Sequence, residues 1–387
     1  MGQLITARAA AERLGVDVRT LYAYVSRGAL RRAGTDEKRR SRYDSDEVEV
    51  LARRRRPRTN RLSSAGIDVT IGSAVSTIEG GRIRYRGHEL SQLLADEVAF
   101  EDVAELLWSG TLAAGPAWWL AREVRAAATA ATASLDGRIS PLGRMAVGVA
   151  AAAPLLTGAD DRETGRQLVA LLAESAGNDE PTQGPEPGRY PLARRVWVRL
   201  SPLAPTAERV RALNRALVVL ADHELASSTL AARIAASTRA SLPGCLLVAL
   251  GTLDGELHAG ASDLSHRSLL NPADPDFASL RGFIRALDSY PDGDPRGAAL
   301  LNSIGPIAGR AERVIIDRVL VSASNRDLVR TVDFALGALC FAARMPVGSA
   351  RAIFATARCA GWIAHVREEL DERPLRFRGR AVPRPAP

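Results

Sequence analysis

The chain has 387 residues, enough for two or three domains, and its 46% hydrophobic and 25% charged content is that of a soluble globular protein. No apolar run reaches membrane-spanning length and the N-terminus carries no signal-peptide core, so a cytoplasmic location is expected. The net charge of +8 is unevenly placed: residues 1–62 hold sixteen Arg or Lys against eight Asp or Glu, and the remainder balances at thirty-six of each. A basic module joined to a neutral body suggests a polyanion-binding appendage. Cys245, Cys340 and Cys359 are too scattered for a disulfide framework or a zinc knuckle, and no other ligand cluster has metal spacing.

In chain order, the spacing of Ala10 and Leu14 predicts a short helix over 7–14, ended by Gly15. Asp17 is a good N-cap for a second helix over 18–26, with Leu21 and Val25 inward and Gly28 closing it. "LRRAGTDEKRRSRY" can form a hairpin around Gly34-Thr35 whose second arm carries Lys38, Arg39, Arg40 and Arg42. "DSDEVEVLARRRR" supplies a further capped helix, and 58–67 reads as a basic linker. Residues 1–57 resemble the winged helix-turn-helix of excisionase and MerR-like DNA-binding families. That resemblance implies Arg19, Thr20 and Tyr22 on the groove-facing side of the recognition helix and Arg39, Arg40 and Arg42 on phosphates. A solvated basic appendage is the plainer alternative.

Beyond residue 70, "VSTIEGGRIRYRGHEL" reads as a hairpin around Glu79-Gly80-Gly81. "AFEDVAELLWSGTL" is an amphipathic helix with Val103, Leu106 and Leu107 on its apolar side, and helical patterns then dominate, broken by a Gly/Pro-rich loop over 177–191. Five polar residues stand out. His223 lies in "ADHELASSTLAAR", His258 in the glycine-flanked "LDGELHAGASD", and Arg296 ends the stiff loop "RALDSYPDGDPRG". Asp333 sits between apolar residues in "RTVDFALGAL", and Arg358 lies within the helical "IFATARCAGWIAH". Singly, each has a bland reading: a satisfied histidine, an N-cap aspartate, a buried ion-pair arginine.

Their collinear order changes the weight. From the "IEGGRIRYRGHEL" hairpin to "ARCAGWIAHVREE", over roughly 68–382, the series resembles the citrate synthase family. The resemblance implies a mostly α fold, with a large helical domain from 68–262 and 347–387 and a small one from 263–346, in a homodimer. It implies condensation of acetyl-CoA, as co-substrate rather than tightly bound cofactor, with oxaloacetate or a related 2-oxo acid. Asp333 then matches the general base, its basicity raised by Val332, Phe334 and Leu336, and His258 the donor to the enol oxygen. His223, Arg296 and Arg358 match oxaloacetate-binding residues. Arg378, in "LRFRGRAV", matches the arginine that enters the partner's site, although the family usually has Pro where Gly379 stands.

Two departures matter. The family's ketone-polarising loop histidine falls on Leu287, and the glycines around it are absent. Glu256 replaces a usual proline, and an extra carboxylate there is expected to favour a His258 imidazolium. Three readings follow: a weak or divergent acyltransferase; a catalytically impaired homologue acting as a metabolite-responsive DNA-binding regulator; or an interaction protein with no ligand, for which retained arginines would be pointless.

Overall fold

The structure is a computed structural model that describes residues 4–14, 16, 18–26, 30–35, 41–45, 47–48, 69–115, 118–135, 139–156, 161–177, 190–271, 290, 293–324 and 331–379. Gly15, Asp17, Gly28, Lys38, Arg39, Arg40, the basic linker, most of the loop over 177–191 and Leu287 lie outside the described residues. The chain divides into two compact units, Met1–Ile71 and Gly72–Pro387.

In the first unit, helices Ala7–Arg13 and Val18–Ser26 accompany a three-stranded antiparallel sheet of order β1-β3-β2, with β1 Leu4–Thr6, β2 Gly34–Thr35 and β3 Ser41–Asp44. Both helices follow the apolar spacing, because Ala10, Ala11, Leu21 and Tyr24 bury against Ile5, Leu30, Tyr43 and Val48. The hairpin is present, but Gly34 pairs with Arg42 and Thr35 with Ser41. Gly34-Thr35 is therefore strand rather than turn. Strand β1 was not foreseen: three residues are too few for a period-2 pattern to show. Asp44 accepts the Glu47 amide at 3.3 Å, as a cap for the helical turn that follows.

The second unit opens with a sheet of β4 Ser76–Glu79, β5 Arg82–Tyr85 and β6 His88–Glu89. Gly80 and Gly81 supply the left-handed φ values of 56° and 75° that the β4–β5 turn needs. The other regular elements among the described residues of this unit are helices. Helix Phe100–Ser109 has Val103, Leu106 and Leu107 fully buried and stops at Gly110, φ 79°. Helix Ser349–Leu370 is apolar nearly all round and forms the axis of the core. Helices Phe100–Ser109, Asp161–Ser175, Ala207–Leu220, Ser227–Ser237 and Leu242–Leu253 pack on it. Near its C-terminal end the polar residues of this axis are matched: Arg233 meets Glu369 at 2.9 Å and Glu368 at 3.0 Å, and His365 Nδ1 lies 3.1 Å from Arg233. The three cysteines are free and buried.

Helix Val332–Ala342 packs between Gly260–Leu270 and Pro295–Leu301. At Gly297 the approach to it is backbone on backbone: a Cβ there would stand 2.7 Å from both the carbonyl carbon and the oxygen of Thr331. No flexible side chain can yield. Gly297→Ala is expected to cost about 1–3 kcal/mol of unfolding free energy, read from urea denaturation. An unchanged midpoint would mean that the two helix starts can separate freely.

Candidate active site

The site is built from chain segments that end or begin helices. A turn over Asp222, His223 and Glu224 follows helix Ala207–Leu220. Strand β4 clamps it: the Ser76 hydroxyl donates to Asp222, the Glu224 amide donates to Ser76 Oγ at 3.1 Å, and the Ile78 amide donates to the Glu224 carboxylate at 2.8 Å. Glu224 holds a left-handed φ of 49°, a strained conformation for a non-glycine residue that the clamp maintains. The hairpin thus fixes the backbone of His223, whose Nε2 lies 2.9 Å from the Tyr290 hydroxyl.

Asp294 caps helix Pro295–Leu301 and is almost fully buried. Oδ1 accepts from the Arg296 amide and Nε, both at 3.0 Å; Oδ2 accepts from Arg296 Nη2 at 2.9 Å and from the Val332 amide at 3.1 Å. One carboxylate therefore orients the Arg296 fork and ties it to the start of the helix that bears Asp333. The N-cap of that helix is Thr331, whose Oγ1 accepts from the Phe334 amide at 3.2 Å. Asp333 is not needed as a cap. Its Oδ1 accepts from Ser262 Oγ at 2.7 Å. Burial pushes the Asp333 carboxyl above the ordinary aspartate range, opposed by Ser262, Arg296 and Arg358, and this is the direction expected from its apolar neighbours.

Helix Ser349–Leu370 presents Phe354, Arg358 and Trp362 at i, i+4 and i+8, one face. Arg358 Nε donates to the Leu220 carbonyl at 2.8 Å, and its guanidinium stands 4.8 Å over the Phe354 ring. Buried Nη1 has no hydrogen-bond partner, and among the described residues Arg358 makes no ion pair. The ion-pair reading of Arg358 is thus set aside. Burial lowers its pKa to about 10, so it remains a cation at neutral pH. A buried cation with an uncommitted N–H is costly unless an acceptor arrives.

His258 sits edge-on to Phe354, ring centroids 6.0 Å apart. Its Nε2 lies 2.9 Å from Ser228 Oγ, and Trp362 Nε1 donates to that oxygen at 3.2 Å. The indole can only donate. Ser228 Oγ can give its one proton to His258 Nε2 or accept a second from it, and the first arrangement leaves the imidazole proton on Nδ1. Burial, and then Arg358, lower the His258 pKa to about 4. The imidazolium expected from Glu256 is corrected here. Arg351 takes that carboxylate at 2.7 Å, along with Asp254 at 2.8 Å, and Glu256 has no part in the His258 shift.

His223, His258, Arg296, Asp333 and Arg358 therefore share one electrostatic environment. His223 is held well below the ordinary histidine value by burial, then by Arg296 and Arg358. Arg378 stands apart on the exposed tail after the axial helix, whereas Arg376 is committed to Glu369 at 2.6 and 2.7 Å. In the first unit Tyr22 is exposed on its helix, Thr20 and Arg42 are partly exposed, and nothing is described of the Arg19 side chain. Sequence reasoning passed over Tyr290, Ser228, Ser262, Asp294 and Phe354. Two signals were available: the i, i+4 spacing of Phe354 from Arg358, and the i, i+4 spacing of Ser262 from His258.

Comparison with known proteins places this geometry. Citrate synthase from Thermoplasma acidophilum, solved as a ternary complex with carboxymethyl coenzyme A and oxaloacetate, superposes with TM-score 0.66 at 21% identity, covering 83% of this chain and 95% of that one. The enzyme from Thermotoga maritima gives 0.65 at 22% identity, with coverages of 83% and 94%. The fold is that of the citrate synthases. The family model for the citrate synthase C-terminal domain matches residues 66–380, and the chain belongs to this family. Residues 5–71 match the MerR HTH family regulatory protein model. Citrate synthase of Haloferax volcanii is 28% identical over 80% of this chain and 92% of that enzyme. The Saccharolobus solfataricus enzyme is 27% identical over 58% of this chain and 66% of its own length. A 2-methylcitrate synthase of Mycobacterium tuberculosis is 25% identical over 81% and 87%.

Nitrogen-15 histidine spectra at pH 6 are expected to show His258 neutral with its proton on Nδ1, titrating near pH 4. An imidazolium signal at pH 6 would mean that burial and Arg358 do not control the ring.

Proposed function

We propose that the second unit condenses acetyl-CoA, or a related acyl-CoA, with oxaloacetate or a related 2-oxo acid. The supporting observation is the buried, uncommitted Nη1 of Arg358 beside a carboxylate of raised basicity and a neutral imidazole. Arg296 and Arg358 bind the carboxylates of the dianion, joined by Arg378 of the partner subunit in a homodimer, while His223 contacts the same substrate. Asp333 removes a proton from the thioester methyl group, and His258 Nδ1–H donates to the thioester oxygen as charge develops there. The methyl carbon then bonds to the keto carbon, the keto oxygen takes a proton, and water cleaves the thioester to release CoA. The small domain over 263–346 carries Arg296 and Asp333, so its closure on the large domain would complete the site.

The weak point is Leu287, which offers no proton donor to the ketone. Without a substitute donor the rate falls on the order of 10²–10⁴. The enzyme is on this reading a weak or divergent member of its family, working in the cytoplasm. Purified protein is expected to release CoA from acetyl-CoA only with a 2-oxo acid present, and Asp333→Ala to reduce this about 10²-fold or more. Because the Asp333 carboxyl is raised and its protonated form cannot act as base, activity is lost as pH falls through a value above the ordinary aspartate range. No release from wild type, with release gained in Leu287→His, would favour the impaired homologue.

A second reading rests on the first unit. Its basic charge, its MerR match and the exposed Tyr22 on helix Val18–Ser26 support DNA binding, with Arg19, Thr20 and Tyr22 toward the groove and Arg39, Arg40 and Arg42 on phosphates. With this unit on a ligand-binding body, the protein would act as a metabolite-responsive regulator. The full chain is expected to bind duplex DNA with a steep salt dependence, and Arg42→Ala to reduce the log–log slope by about 1. Affinity independent of salt would remove this reading.

A further inference from the structure

On the condensation reading, charge develops at two oxygens. The thioester oxygen faces His258. The keto oxygen needs its own donor, since attack on the keto carbon makes an alkoxide. Arg296 and Arg358 are the carboxylate-holding cations, and Asp294 already takes two of the Arg296 donors. His223 is neutral and carries a single N–H.

A phenol hydroxyl also stands with these groups, whereas those of Ser262 and Ser228 are engaged with Asp333 and His258. Tyr290 belongs to the loop that delivers Arg296, and its side chain is almost fully buried. Its ring lies under the Arg296 guanidinium, 5.6 Å from cation to centroid. Its hydroxyl is 2.9 Å from His223 Nε2. Burial pushes its pKa up to about 12, so at neutral pH the oxygen keeps its proton. A bare packing role needs the ring only. It does not account for a phenol hydroxyl meeting a neutral imidazole beside the Arg296 guanidinium and within the field of Arg358.

We propose that Tyr290 is a catalytic residue that donates to the keto oxygen of the bound 2-oxo acid, with His223 as its hydrogen-bond partner. The inference rests on the condensation reading. With His223 in its Nε2–H tautomer, the ring donates to the phenol oxygen and leaves the hydroxyl proton free to go to the keto oxygen of bound substrate. As the carbon–carbon bond forms, the phenol proton passes to the alkoxide. Water returns to the phenolate the proton that Asp333 removed from the methyl group, so the balance closes without a further reactant.

The test uses the full chain, oxaloacetate labelled with carbon-13 at the keto carbon, and Tyr290→Phe, which removes only the hydroxyl. In wild type the bound keto resonance is expected downfield of its position in free oxaloacetate. In Tyr290→Phe it returns toward the free value, while oxaloacetate affinity and melting temperature change little. In the same variant kcat falls about 10²-fold or more with a smaller change in KM. A keto resonance equally displaced in the variant, or an unchanged kcat, overturns the assignment. Bound but unpolarised oxaloacetate in wild type overturns it too and leaves the carboxylate-binding reading intact. A wild type that binds no oxaloacetate overturns that reading, and this assignment with it.

Discussion

The site depends on one buried carboxylate. Asp294 accepts four hydrogen bonds: three from Arg296, through its amide, Nε and Nη2, and one from the Val332 amide. A buried charge is tolerated only when its lone pairs are filled, and here they are filled by the groups whose placement matters. The same carboxylate caps one helix and tethers the start of the next, so Arg296 and Asp333 cannot drift independently. The absence of a side chain at Gly297 lets the two helix starts approach closely enough for the Val332 amide to reach it. Removing Asp294 would leave Arg296 buried without its counter-charge, a larger loss than a surface ion pair.

Around that anchor, burial and charge oppose each other in a consistent direction. Both site histidines are held below the ordinary value by burial first and by nearby guanidinium groups second. An imidazolium in this environment would add to the positive charge that already favours the ionised Asp333 carboxylate. Neutral rings avoid that and still offer one N–H each. Burial lifts Asp333, and Ser262 with the two arginines limits the rise. The His258 ring is linked through Ser228 to the donor-only Trp362 indole, so its tautomer is coupled to the way the Ser228 hydroxyl turns. The protonation states are therefore set by burial first and by neighbouring charged and hydrogen-bonding groups second.

Much of this was legible in the sequence, and the reason differs by element. The apolar spacing of 100–109 gave its helix because burial on one face enforces a period. The β4–β5 hairpin was legible because only certain residues accept a left-handed turn. His223, His258, Arg296, Asp333 and Arg358 were found by collinear resemblance, not by spacing, since they come from five separate segments. Ser228, Ser262 and Asp294 escaped because small polar residues near helix ends are common, and their partners lie 30, 71 and 38 positions away. Strand β1 escaped because its register is set by β3, almost forty residues on.

The two departures from the family's motifs have separate chemical consequences. Glu256 is an added charge, but Arg351 absorbs it together with Asp254 and Asp263, at 2.7–2.8 Å, away from the His258 ring. An added carboxylate with a ready counter-ion changes little at a neighbouring buried imidazole, whose desolvation dominates. Leu287 differs in kind. On the condensation reading it withholds a donor from the keto oxygen, and no rearrangement of charges elsewhere supplies one. Only a group already inside the pocket with an O–H or N–H to spare can do so. On that reading, the balance between catalysis and mere ligand binding turns on the loop that carries Tyr290 and Arg296, not on the glycine-flanked turn around His258.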